Sequence, residues 1–278
     1  MKNKTFFITG VSSGLGQAIA HEALNAGHRV VGTVRSESAR IEFESQKPGK
    51  AFGRLLDVTD NNSVPKVVSE IESTIGEIDV LINNAGYGHE GIIEESPIDE
   101  LRKQFEVNVF GAVAVIKAVL PYMRKRRRGH IVNVTSMGGL MTIPGVGYYQ
   151  GSKFALEGIS GTLAKEVKGF GIFVTALEPG RFRTDWAGRS MIRTERSISD
   201  YDALFDPIRT TRAAHSGRQP GNPAKAGQAV LKLIESPNPP THLLLGTDAL
   251  QLVQAELKKL TDEIASWENV TKSTNFDE

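Results

Sequence analysis

Short apolar runs rich in β-branched residues alternate along the chain with segments whose apolar residues recur at helical spacing. The runs that predict strands are 5–9, 29–34, 51–56, 79–82, 130–134, 172–177 and 242–245. Helical periodicity follows the first strand from Leu15 onward and is found again over 61–75, 152–167 and 248–267. Strands that alternate with helices indicate βαβ units, in which helices cover both faces of a parallel sheet. We therefore predict an α/β fold with a doubly wound, mostly parallel sheet.

Two segments depart from this alternation. Residues 184–223 have weak periodicity and interrupt the pattern before the last strand, as functional insertions often do. We predict that they form a lid over a substrate site. Residues 268–278 are hydrophilic and are predicted to be a frayed tail. Because no repeat or change of composition divides the rest of the sequence, we predict a single domain over residues 1–278.

The composition is that of a globular protein, and it narrows the classes of function. With 40% hydrophobic and 23% charged residues and a net charge of +1, the chain offers no overall charge for binding nucleic acid. The absence of cysteine excludes disulfides, thiolate metal ligands and cysteine nucleophiles. His89 has no second ligand at the sequence spacing typical of metal sites, so we expect no metal site. No apolar run approaches the length of a membrane span, and no signal-peptide core precedes the first strand. We therefore expect no membrane span and a cytoplasmic location.

A glycine-rich turn lies between the first strand and the first helix. Glycine lets the backbone turn tightly and approach a ligand closely, and the N–H groups at the start of the helix can bind a pyrophosphate. Plain loops also have such sequences, but the position after the first strand favours a phosphate site of a dinucleotide. The residues of this turn that we assign to cofactor binding are Gly10, Ser12, Ser13, Gly14, Leu15 and Gly16.

Tyr149 and Lys153 are four residues apart, a spacing that places both side chains on one face of a helix. A free phenol titrates near 10 and is a poor base at neutral pH, but a nearby cation favours the phenolate and lowers its pKa. The pair is therefore a candidate acid/base for a carbonyl or an alcohol. The same spacing is common on solvated helix faces, so its meaning depends on the motifs around it.

Those motifs occur in one order, which resembles that of the short-chain dehydrogenase/reductase family in its short single-domain branch. They are Thr9-Gly-x-x-x-Gly-x-Gly16, Asn83-Asn84-Ala85-Gly86, Asn108, Ser136, Tyr149-x-x-x-Lys153 and Pro179-Gly180. The resemblance covers about residues 4–184, and the last predicted strand also fits it. It implies a Rossmann fold and hydride transfer between a nicotinamide cofactor and a small carbonyl or alcohol.

The resemblance also implies the catalytic roles. Tyr149 would exchange a proton with the substrate oxygen, and Lys153 would lower the pKa of Tyr149 and hold the ribose of the nicotinamide. Ser136 follows a buried strand and would bind the substrate oxygen. Asn108 would hold a water that leads toward Lys153. From the residue alone, Asn108 is equally well interpreted as a hydrogen-bonded core asparagine.

The choice of cofactor depends on the end of the second strand. Dinucleotide folds that prefer NAD carry an acidic residue there, whereas this chain has Val34 followed by Arg35 and Ser36. A guanidinium suits a 2′-phosphate, so we expect NADP(H) to be preferred, with NAD(H) as the alternative. Asp57 and Val58 resemble the adenine-binding pair of the family. The other expected cofactor contacts are Asn83, Ala85, Gly86, Pro179, Gly180, Phe182 and Thr184.

The substrate is the least defined part of the prediction. Large, mostly apolar residues are expected to line its pocket, which suits a hydrophobic ketone or alcohol. In addition to Ser136, they are Met137, Met141, Tyr148 and Trp186. Arginines 181, 183, 189 and 193 leave room for an anionic group or face solvent. A catalytically silent dinucleotide-sensing regulator and an epimerase or dehydratase of the wider superfamily are the alternative functions, and a homo-oligomer is left open.

Overall fold

A seven-stranded parallel sheet forms the centre of the molecule. The structure is a computed structural model that describes residues 3–188 and 190–276. Within these residues the strands are β1 (Thr5–Ile8), β2 (Arg29–Val34), β3 (Ala51–Leu55), β4 (Val80–Asn83), β5 (Gly88–Glu90), β6 (Gly129–Val134), β7 (Ile172–Pro179), β8 (Met191–Arg193) and β9 (His242–Leu245). The sheet has the order β3-β2-β1-β4-β6-β7-β9. All its pairs are parallel, which confirms the predicted doubly wound fold.

Helices cover both faces of this sheet. Those of the described residues are α1 (Gly14–Asn25), α2 (Glu37–Ser45), α3 (Ser63–Glu70), α4 (Ile98–Phe105), α5 (Ala112–Arg126), α6 (Gly147–Val167), α7 (Asp202–Ala214), α8 (Pro223–Glu235), α9 (Thr247–Ser266) and α10 (Glu268–Lys272). On one face α1, α2 and α8 bury apolar residues against the sheet, and on the other face α3, α5 and α6 do so. The central strands β1, β4 and β6 are therefore buried on both faces, as is typical of parallel sheets.

The direction in which strands are added reverses between β1 and β4. The chain runs outward from β1 to β3 and then returns to β4 on the opposite side of β1. Thr9 N donates to the Ile82 carbonyl at 3.0 Å, so the loop after β1 lies beside the end of β4. In open α/β sheets, ligands bind in the crevice at this reversal point, beyond the carboxyl ends of the strands.

The insertion predicted to be irregular has more structure than its sequence indicated. Its strand β8 pairs with β5 outside the main sheet, and the helix α7 follows. Periodicity misses α7 because this helix lies on the surface and Phe205 is its one buried residue. The insertion was also predicted to end at Pro223, where α8 begins. There Asn222 Oδ1 accepts from Ala224 N at 3.0 Å, which is a helix N-cap.

The helix that carries Tyr149 and Lys153 begins earlier than predicted. Periodicity indicated a start at Ser152, whereas α6 begins at Gly147. Glycine and tyrosine are poor helix formers, so the first turn has no sequence signal and is held by packing. Tyr149 therefore lies in the first turn of α6, where the helix dipole favours negative charge.

Two observations concern the expectations for the tail and for membranes. The tail carries the short exposed helix α10, while residues 277 and 278 lie outside the described part, so fraying stays a prediction. The helical run Ile98–Arg126 contains an 18-residue window with a mean hydropathy of 1.5, so it is long and apolar enough to cross a membrane by length and composition. A core helix meets the same criterion, and α5 buries Val115, Val119 and Met123 completely against the sheet.

Candidate active site

A cavity of about 1030 Å³ opens at the carboxyl ends of the strands. It runs from the glycine-rich turn after β1, past the end of β6 and the start of α6, to the inner side of α7. The predicted site residues that line it are Gly10, Ser12, Ser13, Gly14, Leu15, Arg35, Asp57, Val58, Ala85, Gly86, Ser136, Met137, Met141, Tyr149, Lys153, Pro179, Gly180, Phe182, Thr184 and Trp186. Most of the residues singled out by motif are thus brought to one cavity.

The glycine turn forms a cradle at one end of this cavity. Gly10 and Gly14 have φ angles of +74° and +64°, a region that favours glycine. A Cβ on Gly16 would lie 2.2 Å from the Gly10 carbonyl oxygen, so this residue fixes the close approach of α1 to the turn. Gly16 itself is buried and is not part of the cavity wall, which makes its role structural.

Two polar side chains that the sequence analysis did not assign hold the cradle in shape. Asn84 Nδ2 donates to the carbonyls of Thr9 and Gly10 at 3.0 and 2.8 Å. Thr33 Oγ1 accepts from Gly10 N at 3.0 Å. Asn84 belongs to the Asn-Asn-Ala-Gly motif, and the assigned neighbour Asn83 instead donates to Asn133 Oδ1 inside the sheet. The sequence could have indicated this difference between Asn83 and Asn84. Successive side chains at the end of a strand point to opposite sides, so the two asparagines are not expected to share partners.

The cradle fits the pyrophosphate of a dinucleotide. Ser13 is the N-cap residue of α1, but its side chain makes no capping hydrogen bond, and the first turn carries no acidic residue. The first N–H groups of α1 thus keep their capacity to bind an anion at the positive end of the helix dipole. Asp57 and Val58 line the adjoining wall, where an adenosine would follow.

Tyr149 lies half-buried in the wall of the cavity. Its ring is 5.0 Å from that of Trp186, and Lys153 Nζ is 5.7 Å from the centre of the Tyr149 ring. Burial raises the pKa of Tyr149 to about 12, and a hydrogen bond with Ser136 acts in the opposite direction. The phenol therefore keeps its proton at neutral pH in this structure. The expected lowering of its pKa by Lys153 stays a prediction.

Lys153 is buried one helical turn beyond Tyr149. Its Nζ donates to the Val134 carbonyl at the end of β6, at 2.8 Å. Desolvation lowers the pKa of Lys153 to about 8, while the Glu157 carboxylate raises it. The ammonium is thus held in place, and its charge is sensitive to the groups around it.

Ser136 and Asn108 occupy different positions relative to the cavity. Ser136 lines it directly after β6, and its Oγ accepts from Gly138 N at 3.0 Å. Asn108 lies behind the wall in a π-helical turn, Glu106–Gly111, a feature frequent at functional sites. Its Nδ2 donates to Ser152 Oγ and to the Tyr87 carbonyl, both at 3.1 Å. The amide is thus satisfied by protein partners, and the water relay stays a prediction.

After the end of β2, Arg35 lines the cavity and Ser36 does not. Arg35 is exposed on the rim and has no hydrogen bond or ion pair with any residue that the structure describes. Ser36 was expected to contact the cofactor, but it is not in the cavity wall. Its Oγ accepts from Ala39 N at 3.3 Å because it is the N-cap of α2.

The substrate half of the cavity differs from prediction at Tyr148. Its hydroxyl donates to the Ser96 carbonyl at 2.8 Å and its ring stacks on His89, so it does not line the cavity. Residues 148 and 149 are consecutive on a helix and point in different directions. The insertion also contributes wall residues that the sequence did not predict, among them Pro207, Ile208, Thr211, Arg212, His215 and Gln219. Arg193 pairs with Glu90 at 3.3 Å, and Arg189 lies outside the described residues.

Comparison with known proteins agrees with this geometry. The model of the short chain dehydrogenase family matches residues 4–193. The oxidoreductase BOA17 of Botryotinia fuckeliana is 42% identical over 94% of this chain and 96% of its own length. A 3-ketodihydrosphingosine reductase of Bacteroides thetaiotaomicron is 40% identical over 88% and 89% of the two chains. An NADPH-dependent 3-dehydrocapnine reductase of Ornithobacterium rhinotracheale is 37% identical over 71% and 72%.

A solved structure is similar over nearly the whole molecule. The crystal structure of a short-chain dehydrogenase from Streptomyces avermitilis matches with a TM-score of 0.92 and 37% identity, covering 99% of each chain. Family model, relatives and solved structure agree with the order of motifs and with their convergence on one cavity. The chain belongs to the short-chain dehydrogenase family and is an oxidoreductase that acts on CH–OH groups.

Proposed function

We propose that this protein is an NADP(H)-dependent oxidoreductase that interconverts a hydrophobic ketone and its alcohol. The observation that carries this proposal is the convergence of Ser136, Tyr149 and Lys153 on the cavity that begins at the glycine cradle. A bound nicotinamide dinucleotide would supply or accept the hydride. The cradle, Arg35 and Asp57 would hold its phosphates and adenosine, and Lys153 would hold the ribose next to the nicotinamide.

The residues around Tyr149 are suited to moving one proton to the substrate oxygen. In reduction, the neutral phenol donates its proton, and the positive end of α6 stabilises the phenolate that forms. The Ser136 hydroxyl donates to the same oxygen as negative charge develops on it. The buried ammonium of Lys153 adds a positive charge one turn away. In oxidation the same groups act in reverse.

The walls favour a hydrophobic substrate. Met137, Met141, Ile143 and Trp186 surround the approach to Ser136 and Tyr149. Apolar walls with a few polar groups at the reacting end are typical of sites for hydrophobic ligands. Relatives named as reductases of 3-ketodihydrosphingosine and 3-dehydrocapnine support a ketone, and the second of these names supports NADPH.

A substrate panel tests this proposal. We expect NADPH oxidation, followed by nicotinamide absorbance, with long-chain ketones such as 3-ketodihydrosphingosine, and much slower NADPH oxidation with a small polar ketone such as acetone. The reason is that only the larger compounds bury apolar area in the cavity, at about 25 cal/mol per Å². A preference for the small polar ketone would contradict the hydrophobic assignment. Turnover with none of the carbonyls, and with none of the matching alcohols and NADP⁺, would contradict the proposed activity.

We also propose that the insertion 184–223 acts as a lid. Trp186 brings the start of the insertion against Tyr149, and Pro207 and Thr211 of α7 line the same cavity. Phe205 anchors α7 and is 1% exposed, and Arg196 ties the segment to Glu95 with a contact of 2.9 Å. An element that both lines the site and is fastened at a few points can close over a ligand.

Limited proteolysis with trypsin measures this closure. Cleavage at the arginines of α7 is expected to slow when NADPH and a substrate analogue are added, because lid contacts with the ligands favour the closed state. The exposed Lys258 and Lys259 of α9 provide an internal control, since this helix makes no wall of the cavity. Equal cleavage rates in α7 with and without ligands would contradict a closing lid. The homo-oligomer and the cytoplasmic location stay predictions.

A further inference from the structure

A second cluster of titratable side chains lies outside the cavity. It consists of Glu157 on α6, Glu178 on β7 and His242 on β9. His242 Nδ1 is 2.8 Å from Glu178 Oε1 and 3.4 Å from Glu157 Oε2, and one ligand atom from each residue lies within 4.8 Å of the others. Three separate elements thus direct nitrogen and oxygen atoms at one point.

The carboxylates of this cluster are buried without enough hydrogen-bond donors. Glu178 is 0% exposed and Glu157 is 7% exposed. Both oxygens of Glu157 and Oε2 of Glu178 have no hydrogen-bond partner among the described residues. The hydroxyl of Thr135, which is next to Glu157, donates to the Leu177 carbonyl at 2.9 Å instead. Buried polar atoms are normally paired, so three unpaired oxygens in one place point to a missing ligand.

The charges of the cluster favour a positively charged ligand. Burial and the neighbouring Glu157 raise the pKa of Glu178 to about 7, and burial also raises the pKa of Glu157. Each carboxylate thus resists ionisation unless positive charge is supplied. The nearby cations are Lys153, which is committed to the Val134 carbonyl, and the imidazole of His242 when it is protonated. Either shared protons or a metal cation would satisfy the pair.

We infer that Glu157, Glu178 and His242 form a binding site for a divalent transition-metal ion of the zinc class. Tetrahedral Zn²⁺ with bonds of about 2.1 Å places its ligands about 3.4 Å apart. The two His242 distances are close to that value, so small side-chain movements complete the coordination. A donor set of one imidazole and two carboxylates suits Zn²⁺ better than Mg²⁺ or Ca²⁺, which favour oxygen ligands alone. The His242 side chain is 52% exposed, which gives the ion access and leaves a fourth position for water.

The cluster lies next to the catalytic residues, so an ion bound there would help to position them. Glu157 lies one helical turn after Lys153 on α6, and Glu178 directly precedes Pro179 in the cavity wall. An ion bound here would join α6, β7 and β9 behind the catalytic residues. It would also neutralise Glu157, whose carboxylate raises the pKa of Lys153. Binding of the ion at this site requires neither the substrate nor a particular nicotinamide cofactor.

Isothermal titration of the chelator-stripped protein with Zn²⁺ alone tests the inference. We expect one equivalent to bind at neutral pH with release of protons, and binding to raise Tm. Glu178→Gln and His242→Ala should each weaken binding by at least about 100-fold, since even outer-shell changes cost 10- to 100-fold. Glu166→Gln on the exposed side of α6 and His21→Ala beside Glu22 are matched controls that should bind Zn²⁺ like the wild type.

Two results would overturn the site. One is a wild-type protein that takes up no stoichiometric Zn²⁺, in which case shared protons satisfy the carboxylates. The other is unchanged Zn²⁺ affinity in His242→Ala. Because His242 is half-exposed, this variant is expected to fold even if Glu178→Gln does not, and circular dichroism checks both. Weakened binding in His242→Ala with an unchanged spectrum supports the site.

Discussion

Replacing Tyr149 with phenylalanine is expected to lower kcat by about 10²–10⁴-fold while cofactor affinity stays near that of the wild type. The substitution removes the phenol proton that reaches the substrate oxygen and keeps the ring that packs 5.0 Å from Trp186. Steady-state rates with the best carbonyl of the panel measure the first effect. Titration of tryptophan fluorescence with NADPH measures the second, because Trp186 lines the cavity.

The neighbouring tyrosine provides a matched control. Tyr148→Phe removes a hydroxyl one position away that donates to the Ser96 carbonyl outside the cavity. It should lower the free energy of unfolding by about 0.5–1.5 kcal/mol and leave kcat close to that of the wild type. Near-normal kcat in Tyr149→Phe, or an equal loss of kcat in both variants, would show that Tyr149 is not the proton donor.

The pH dependence of the reaction should follow from the state of this phenol. Because burial raises the pKa of Tyr149 to about 12 in the absence of ligands, the group is neutral and ready to donate a proton at neutral pH. Oxidation requires the phenolate, so its rate should rise with pH, whereas reduction should lose rate as the phenol ionises. Tyr149→Phe should abolish both of these dependences.

The sequence predicted those parts of the site that depend on local motifs. Strand alternation and the glycine turn located the crevice, and the four-residue spacing of Tyr149 and Lys153 placed both on one face of α6. These features are local because each is set by a turn, a strand end or one helical repeat. Gly16 belongs to the predicted turn but does not contact the cavity as expected. It permits close packing of α1 against the turn.

Features formed by distant parts of the chain could not be predicted in this way. Part of the cavity wall comes from α7, a surface helix with one buried residue. A helix that buries so little has little apolar periodicity, so its sequence does not show that it packs beside the cavity. The separation of Tyr148 from Tyr149 depends on the true start of α6. The cluster of Glu157, Glu178 and His242 assembles across three elements, and no spacing in the sequence links them. The expectation of no metal site considered histidines at metal spacing, and that pattern does not detect this cluster.

Cofactor preference is the second large effect, and Arg35 is expected to set it. Its exposed guanidinium at the cavity rim is available to pair with a 2′-phosphate, while the buried Val34 offers nothing to a ribose diol. A hydrogen bond to a charged group contributes about 1.5–3 kcal/mol, or about 10- to 150-fold in affinity. Arg35→Ala should therefore lower kcat/KM for NADPH by that factor and leave kcat/KM for NADH nearly unchanged.

The matched control is Arg102→Ala, which removes an exposed arginine of α4 that does not line the cavity. It should leave the ratio of kcat/KM for NADPH over NADH unchanged. Adding Val34→Asp to Arg35→Ala should move the preference to NADH, because a carboxylate accepts from the 2′-hydroxyl and repels a phosphate. Since Val34 is 3% exposed, this carboxylate should also lower stability, so Tm is measured alongside.

Two outcomes separate the alternatives for the phosphate site. A wild-type ratio at or below one would exclude NADP(H) as the preferred cofactor before any variant is made. A ratio well above one that survives both substitutions would keep NADP(H) and move the 2′-phosphate to another donor. Ser12 and Ser13 are then the candidates, because both line the cavity beside the start of α1 and the side chain of Ser13 makes no capping hydrogen bond. Ser13→Ala would in that case lower the ratio where Arg35→Ala had not.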